Sequence, residues 1–302
     1  MRLVIALGGN ALLRRGEPPD AETQRRNIDS AAQAIAPIIR SHEAVITHGN
    51  GPQVGLLALQ AAAYRDVPPY PLDLLGAESE GLIGGMLELA LANALPERKI
   101  ATLLTLVEVD LSDSAFAAPQ KPIGPVYTEA EARRLADKMG WPMQRDGSFW
   151  RRVVPSPTPR RIREAAAIGL LMQAGFAVIC AGGGGIPITY DDAGACRGVE
   201  AVIDKDYAAA LLAETIEAEC LVLLTDVAGV WSSWPPPVEQ QPIRAATPKQ
   251  LRQLRFAEGS MAPKVEAACR FVEHTGKFAV IGAIADAVEV LAGNSGTIVR
   301  RD

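Results

Sequence analysis

Short apolar runs alternate with longer stretches of helical periodicity along this chain. Leu3–Leu7, Ala44–Thr47, Ile100–Val107, Ala177–Cys180, Cys220–Leu224 and Phe278–Ile281 are nearly unbroken in apolar residues. That is the pattern of parallel strands covered on both faces, not of strands with one wet face. Helical spacing occupies residues 21–39, 53–64, 77–94, 159–174, 205–215, 247–254 and 261–275. The alternation predicts an α/β fold, a mostly parallel sheet with helices on both sides. Right-handed crossovers then gather the loops that follow the strands along one edge, where such folds bind ligands.

Two stretches interrupt the rhythm. From about Leu111 to Arg152 the chain is rich in Pro, Gly and charge, with one short helical segment around Thr128–Met139. It reads as an inserted subdomain or lid. Trp231–Pro242 contains Pro235, Pro236 and Pro237, which suits neither a strand nor a helix interior and predicts a surface loop.

Composition narrows the choice of ligand. A net charge of −5 leaves no broad basic field for nucleic acid, so any anion site has to be local. The N-terminal apolar run is too short for a signal peptide or a membrane span, and no later run reaches about 18 apolar residues. A cytoplasmic protein without a membrane partner is expected. Cys180, Cys196, Cys220 and Cys269 form no CxxC pair and read as reduced thiols, not as a metal site or disulfide framework.

Three strand-like runs end in glycine: Gly8-Gly9-Asn10, His48-Gly49-Asn50-Gly51-Pro52 and Gly182-Gly183-Gly184-Gly185. Glycine lets backbone N–H groups approach a ligand, and successive N–H groups at a helix start form a concave anion site. Any one loop is equally well a plain tight turn, but three after strands of one sheet point to a shared site. The GxxxxGK[ST] loop is absent, and Gly8-Gly9-Asn10-Ala11-Leu12 is not GxGxxG. Lys205, between Asp204 and Asp206, opens a helical stretch. Lys264 follows Pro263, a residue suited to the first helical position. Cations there oppose the helix dipole unless an anion binds, although a solvated surface lysine fits the pattern too. Asp226, after Leu224-Thr225, either caps a loop or meets a nucleotide or metal-bound water.

Together these segments resemble the carbamate kinases of the amino acid kinase family. The resemblance is carried by Ala6-Leu7-Gly8-Gly9-Asn10-Ala11, Thr47 to Gly55, Lys121-Pro122-Ile123-Gly124-Pro125, Trp150 to Pro157 and Gly182 to Pro187. It continues through Gly198 to Asp206, Leu224-Thr225-Asp226-Val227 and Gly259-Ser260-Met261-Ala262-Pro263-Lys264-Val265-Glu266. It implies a three-layer α/β/α sandwich with a small protruding subdomain at about 111–152, usually as a homodimer. Residues 1–200 would hold the phosphoryl acceptor and 201–302 the nucleotide. Gly8, Gly9, Asn10, Asn50 and Gly51 would cradle carbamate and the transferred phosphoryl group. Lys121, Lys205 and Lys264 would neutralise it, with Asp206 orienting the lysines. Gly183, Gly184, Asp204, Asp226, Met261 and Lys264 would face the nucleotide. ATP or ADP would bring Mg²⁺, held by phosphates and water. The family's usual setting is arginine or purine-derived carbamoyl breakdown.

Two departures bear on these expectations. Trp231 stands where the family often has tyrosine. Glu80 stands where glutamine is common, and reads either as negative charge facing the acceptor half or as a solvent-facing acid on an amphipathic helix. Two alternatives keep the same fold: a kinase for another small carboxylate, and a non-catalytic nucleotide-binding sensor. A dinucleotide-dependent dehydrogenase is a third, weaker class.

Overall fold

The computed structural model describes residues 1–13, 16–64, 66–233, 241–256 and 261–301, except the side chains of Asn10 and Ala11. Gly259 and Ser260 and most of the expected proline loop Trp231–Pro242 therefore lie outside the described residues.

The strand Arg2–Leu7 shows how the layers arise. Leu3, Ile5 and Leu7 pack into a cluster with Ile28, Ile35 and Ile39 of the helix Ala21–Ser41 and with Ile83, Leu87 and Leu91 of the helix Leu72–Ala94. The alternate residues Val4 and Ala6 join a second cluster. It holds Ile168 of the helix Ala165–Gln173, Ala208 and Leu212 of the helix Lys205–Thr215, and Val265 and Phe271 of the helix Met261–Thr275. A strand with both alternating faces buried requires a helical layer on each side, and the three-layer sandwich follows.

Among the described residues the main sheet has eight strands, in the order Ala245–Ala246, Thr297–Val299, Phe278–Ala283, Cys220–Thr225, Arg2–Leu7, Glu43–His48, Phe176–Ile179, Lys99–Thr102. Neighbours run parallel except Phe278–Ala283 with Thr297–Val299. Arg2–Leu7 is central, and the chain moves from it to Glu43–His48 on one side and later to Cys220–Thr225 on the other. The loops leaving these strands therefore diverge around one crevice.

Several boundaries differ from the sequence expectation. The run Ile100–Val107 is two strands in two sheets: Lys99–Thr102 in the main sheet, and Leu106–Val109 in a second sheet with Cys196–Gly198, Ile186–Tyr190 and Pro159–Ile162. The break falls where Leu103 N–H still donates to Ile179, while the Thr105 N–H turns to the Glu80 carboxyl. The helix expected over 159–174 begins only at Ala165. Pro157 and Pro159 bias the preceding backbone to extended conformation, and Pro159–Ile162 pairs antiparallel with Leu106–Val109. The helix expected over 247–254 shortens to Pro248–Leu251, capped by Thr247. The helix expected from residue 77 starts at Leu72.

The interrupted stretch contains a three-stranded antiparallel sheet, Lys121–Tyr127, Phe149–Val154 and Met143–Asp146, and the helix Glu129–Met139. That helix is closed by a Thr128–Glu131 capping box and by Gly140 at φ +66°. The small sheet buries little beyond Ile123, Val153 and Val154, so its strands carry no apolar signature. It is tied to the body where Gly124, at φ +71°, crosses Gly55 of the helix Gly51–Ala63; a Cβ on Gly55 would lie 1.9 Å from Gly124 Cα. Among the described residues no helix is long and apolar enough to cross a membrane.

Candidate active site

The loops leaving Arg2–Leu7, Glu43–His48, Phe176–Ile179 and Cys220–Thr225 border a cleft of about 1670 Å³, overhung by the protruding subdomain. Gly8, Gly9, Gly49, Asn50, Gly51, Gly183, Asp204, Asp226, Lys121, Lys205, Asp206 and Lys264 all line it. Three lysines separated by 84 and 59 positions thus meet in one cavity, brought there by the subdomain and by two helix N-termini.

Their pairing is specific. Asp206 binds Lys205 through Oδ1 and Lys264 through Oδ2, the latter at 3.2 Å. Lys121 Nζ donates to Asp204 Oδ2 at 2.7 Å, while Asp204 Oδ1 accepts from Asp206 N–H and caps the helix Lys205–Thr215. Lys205 and Lys264 are each 8% exposed and Asp206 3%, so the cluster is shielded from water while its mouth stays open.

Burial lowers the Lys205 pKa, with Lys264 repulsion adding and Asp206 attraction opposing. Burial also pulls on Lys264, but attraction to Asp206 and Asp204 outweighs it and raises that ammonium's pKa. For Asp204, burial is overridden by Lys121 and Lys205, which hold the carboxyl well below the usual range. The cluster is charge-rich, and Asp206 is shared between two cations that repel each other.

The glycine loops divide their work. Gly8 N–H donates to Leu224 O and Gly49 N–H to Leu7 O, extending the parallel ladder beyond the strands. These two glycines admit close approach but spend their own N–H groups on the fold. Gly51 and Gln53 instead stand in the first turn of Gly51–Ala63, where amides have no intrahelical acceptor and favour an anion. Asn50 does not cap this helix; its Nδ2 donates to Ser79 Oγ at 2.8 Å. The side chain of Asn10 lies outside the described residues.

Gly183 reaches the cleft beside Asn50, and with φ +67° a Cβ there would lie 2.0 Å from Asn50 Nδ2. Gly184, expected at the nucleotide, stands one residue behind the lining. Its φ of +103° and the Ile203 carbonyl, 2.6 Å from a would-be Cβ, make it a turn glycine. Met261 opens its helix half-buried against the core, and Ala262, Pro263 and Lys264 line the cleft in its place. Pro263 lies two residues after Met261, within the described part of this helix.

Glu80 and His48 lie buried behind the cleft, and Glu80 departs from the solvent-facing alternative of its sequence reading. Glu80 is no solvent-facing acid. It is 1% exposed, and burial pushes its carboxyl up to about 8 against the hydrogen bonds from Thr105 and Gly182. At neutral pH it is mostly uncharged and adds little negative charge behind the cleft. His48 is fully buried, with Nδ1 3.2 Å from Gly49 O, and burial drives its pKa down to about 4. It is neutral and structural. Arg151 was not singled out from the sequence; it lines the cleft and donates to Gly124 O at 2.8 Å. Its only sequence signal is the Trp150-Arg151-Arg152 run.

Residues 1–282 match the model of the amino acid kinase family. The chain belongs to the amino acid kinase family. Within that family it is 55% identical to the carbamate kinase of Haemophilus influenzae, over 100% of this chain and 97% of that protein. It is 52% identical to the carbamate kinase of Escherichia coli K12, over 98% of each. Carbamate kinase from Giardia lamblia bound to citric acid superimposes with a TM-score of 0.93 at 40% identity, covering 100% of this chain and 98% of the other. The same Giardia enzyme bound to AMP-PNP gives 0.89, at 40% identity and with the same coverage. The three-layer sandwich is thus the family fold.

Proposed function

We propose that this chain is a phosphotransferase that moves a phosphoryl group between ATP and carbamate, running from ADP and carbamoyl phosphate to ATP and carbamate. Carbamate then falls apart to ammonia and carbon dioxide. The observation that carries this reading is the convergence of Lys121, Lys205 and Lys264 around Asp204 and Asp206 in one cleft. The carbamate kinases of Haemophilus influenzae, Rhizobium meliloti and Escherichia coli K12, each matched over at least 98% of this chain, support the substrate.

Phosphoryl transfer needs positioning and charge stabilisation more than covalent catalysis. The carbamate oxygen is already anionic, so no general base is required, in keeping with a neutral His48. The carbamate and the migrating group lie against Gly8, Gly9, Asn10, Asn50 and Gly51, where first-turn amides donate. Lys205, Lys264 and Lys121 spread positive charge around the three equatorial oxygens. Asp206 fixes two of these ammonium groups before substrate arrives. The nucleotide occupies the 201–302 side, along Asp204, Asp226 and the start of the helix Met261–Thr275, with Gly183 and Gly184 behind.

Asp226, exposed at the cleft rim, would be the protein carboxylate to help hold a Mg²⁺ ion brought in by the nucleotide, an ion that keeps mainly phosphate oxygens and water as ligands. Among the described residues no group of three His, Cys, Asp or Glu offers a closed protein cage. Bound to the phosphates, the ion would neutralise charge on the leaving oxygen.

A coupled assay with purified protein, ADP, Mg²⁺ and carbamoyl phosphate tests the reading; ATP formation is the expected result. No ATP, together with turnover of acetylglutamate or another small acid, would replace carbamate by that acceptor. Binding of nucleotide with no turnover of any acid would favour the sensor.

The assembly is a homodimer in this reading, closed by the outer face of the helix Leu72–Ala94. Leu74, Gly81, Leu82, Gly85 and Leu89 are exposed on one stripe of it, and Leu104 packs beside Gly81. Apolar side chains flanked by glycines give a flat surface for close approach. The double variant Leu82→Asp, Leu89→Glu is expected to sediment at half the wild-type mass; an unchanged mass would remove this face from the interface.

A further inference from the structure

Consecutive residues of the helix Leu72–Ala94 reach two different loops of the cleft. Ser79 Oγ accepts from Asn50 Nδ2 and donates to Gly76 O, both at 2.8 Å. Glu80 Oε1 accepts from Gly182 N–H at 2.9 Å and Oε2 from Thr105 N–H at 3.2 Å. Gly182 has no room to shift toward the body, since a Cβ there would lie 2.3 Å from the His48 ring and 3.0 Å from Glu80 Cγ. The next residue, Gly183, abuts Asn50.

We propose that Glu80 is a positioning residue for the acceptor side of the cleft, its carboxyl group holding the Gly182–Gly184 turn in place so that Gly183 sets the position of Asn50. Even protonated, a carboxyl keeps acceptor lone pairs on both oxygens, whereas a glutamine amide accepts on its oxygen only. Glutamine at this position therefore leaves one of the two N–H groups without its acceptor.

The charge state gives the clamp a pH limit. The titratable groups around Glu80 are Glu164 at the start of the helix Ala165–Gln173, Cys180 beyond Phe176–Ile179, and His48 at the end of Glu43–His48, with Lys205 on the far side of His48. None is a cation in contact with the carboxyl. Burial holds its pKa at about 8, and an ionised group there would be shut off from water near the Glu164 carboxyl. Loss of the proton is relieved by opening the turn. In linkage terms the folded protein keeps a proton that the unfolded chain releases, so stability falls as pH rises from the ordinary 4.5 to about 8.

The inference rests on the acceptor reading above, and its test separates the two. Rates with ADP and carbamoyl phosphate are followed from about pH 6 to about pH 9.5 in wild type and Glu80→Gln. The wild-type kcat/KM for carbamoyl phosphate is expected to decline with a midpoint at about 8. Glu80→Gln is expected to show a plateau lower by about threefold to tenfold, carried by KM for carbamoyl phosphate and not for ADP, with no decline at that midpoint. The same midpoint in the variant, or an equal rise in KM for ADP, overturns the proposal. If the variant does not fold, hydrogen exchange of the Gly182 amide in wild type decides without any turnover. Protection lost through about pH 8 supports the clamp, and constant protection to about pH 9.5 overturns it.

Discussion

Asp206→Asn is expected to lower kcat about 100-fold, a loss of about 2.7 kcal/mol of transition-state stabilisation, and to destabilise the fold by about 3 kcal/mol. Asp206 is the shared counter-ion of Lys205 and Lys264, two buried ammonium groups that otherwise repel each other. Asparagine keeps the shape and one acceptor but removes the charge. Two buried cations then face each other with no anion between them, and breaking such a pair costs far more than the pair's net contribution. Lys205, whose pKa burial already lowers, is the one expected to release its proton. That gives the prediction a signature beyond lost activity. A lysine forced towards neutrality is stabilised by rising pH, so the variant's deficit in melting temperature is expected to shrink between about pH 7 and about pH 9, while its residual activity improves as pH falls. A deficit independent of pH, or kcat within about threefold of wild type, would show that Asp206 does not hold the two lysines.

Gly55→Ala is expected to reduce kcat/KM for the acceptor by about 100-fold while leaving ADP affinity unchanged. The added methyl carbon would lie 1.9 Å from Gly124 Cα and 2.3 Å from Gly124 N. Both contacts are backbone, with no flexible side chain to yield. The strand Lys121–Tyr127 has to move outward, and Lys121, paired with Asp204 at 2.7 Å, moves with it. Misplacing a charged group by about 1 Å is enough for a loss of this size. Gly76→Ala is the control: it lies in a helix, a Cβ there meets nothing within 4 Å, and alanine there is expected to be neutral or slightly stabilising. Equal effects of the two substitutions on activity would refute the role of the Gly55–Gly124 crossing. So would a loss of ADP binding in Gly55→Ala.

The two effects have different origins. The Asp206 contact is local electrostatics among residues that the fold brings together from two places, 205–206 and 264. The Gly55 contact is steric, and it governs where a whole subdomain sits. Both act on the same lysine cluster, one from inside and one from above. Steady-state measurements on the two variants therefore probe charge and placement separately.

The chain's own pattern determined the layers. Strands such as Leu3–Leu7 and Cys220–Leu224 are apolar on both alternating faces, and only a sheet covered on both sides can bury them. The glycine loops and the ends of two helices marked the edge that the cleft occupies, because backbone N–H groups and small residues announce themselves locally. Tertiary structure alone decided the rest. Apolar periodicity could not see that Ile100–Val107 turns between two sheets, since the turn depends on Glu80 reaching the Thr105 N–H from a distant helix. Nor could it see the subdomain's strands, which bury too little to be apolar. Glu80 and Gly184 show the same limit. A carboxyl's charge and a glycine's duty are set by what surrounds them in space, whether closed-off backbone amides or a neighbouring carbonyl. Burial, and with it the local dielectric, is a property of the folded whole.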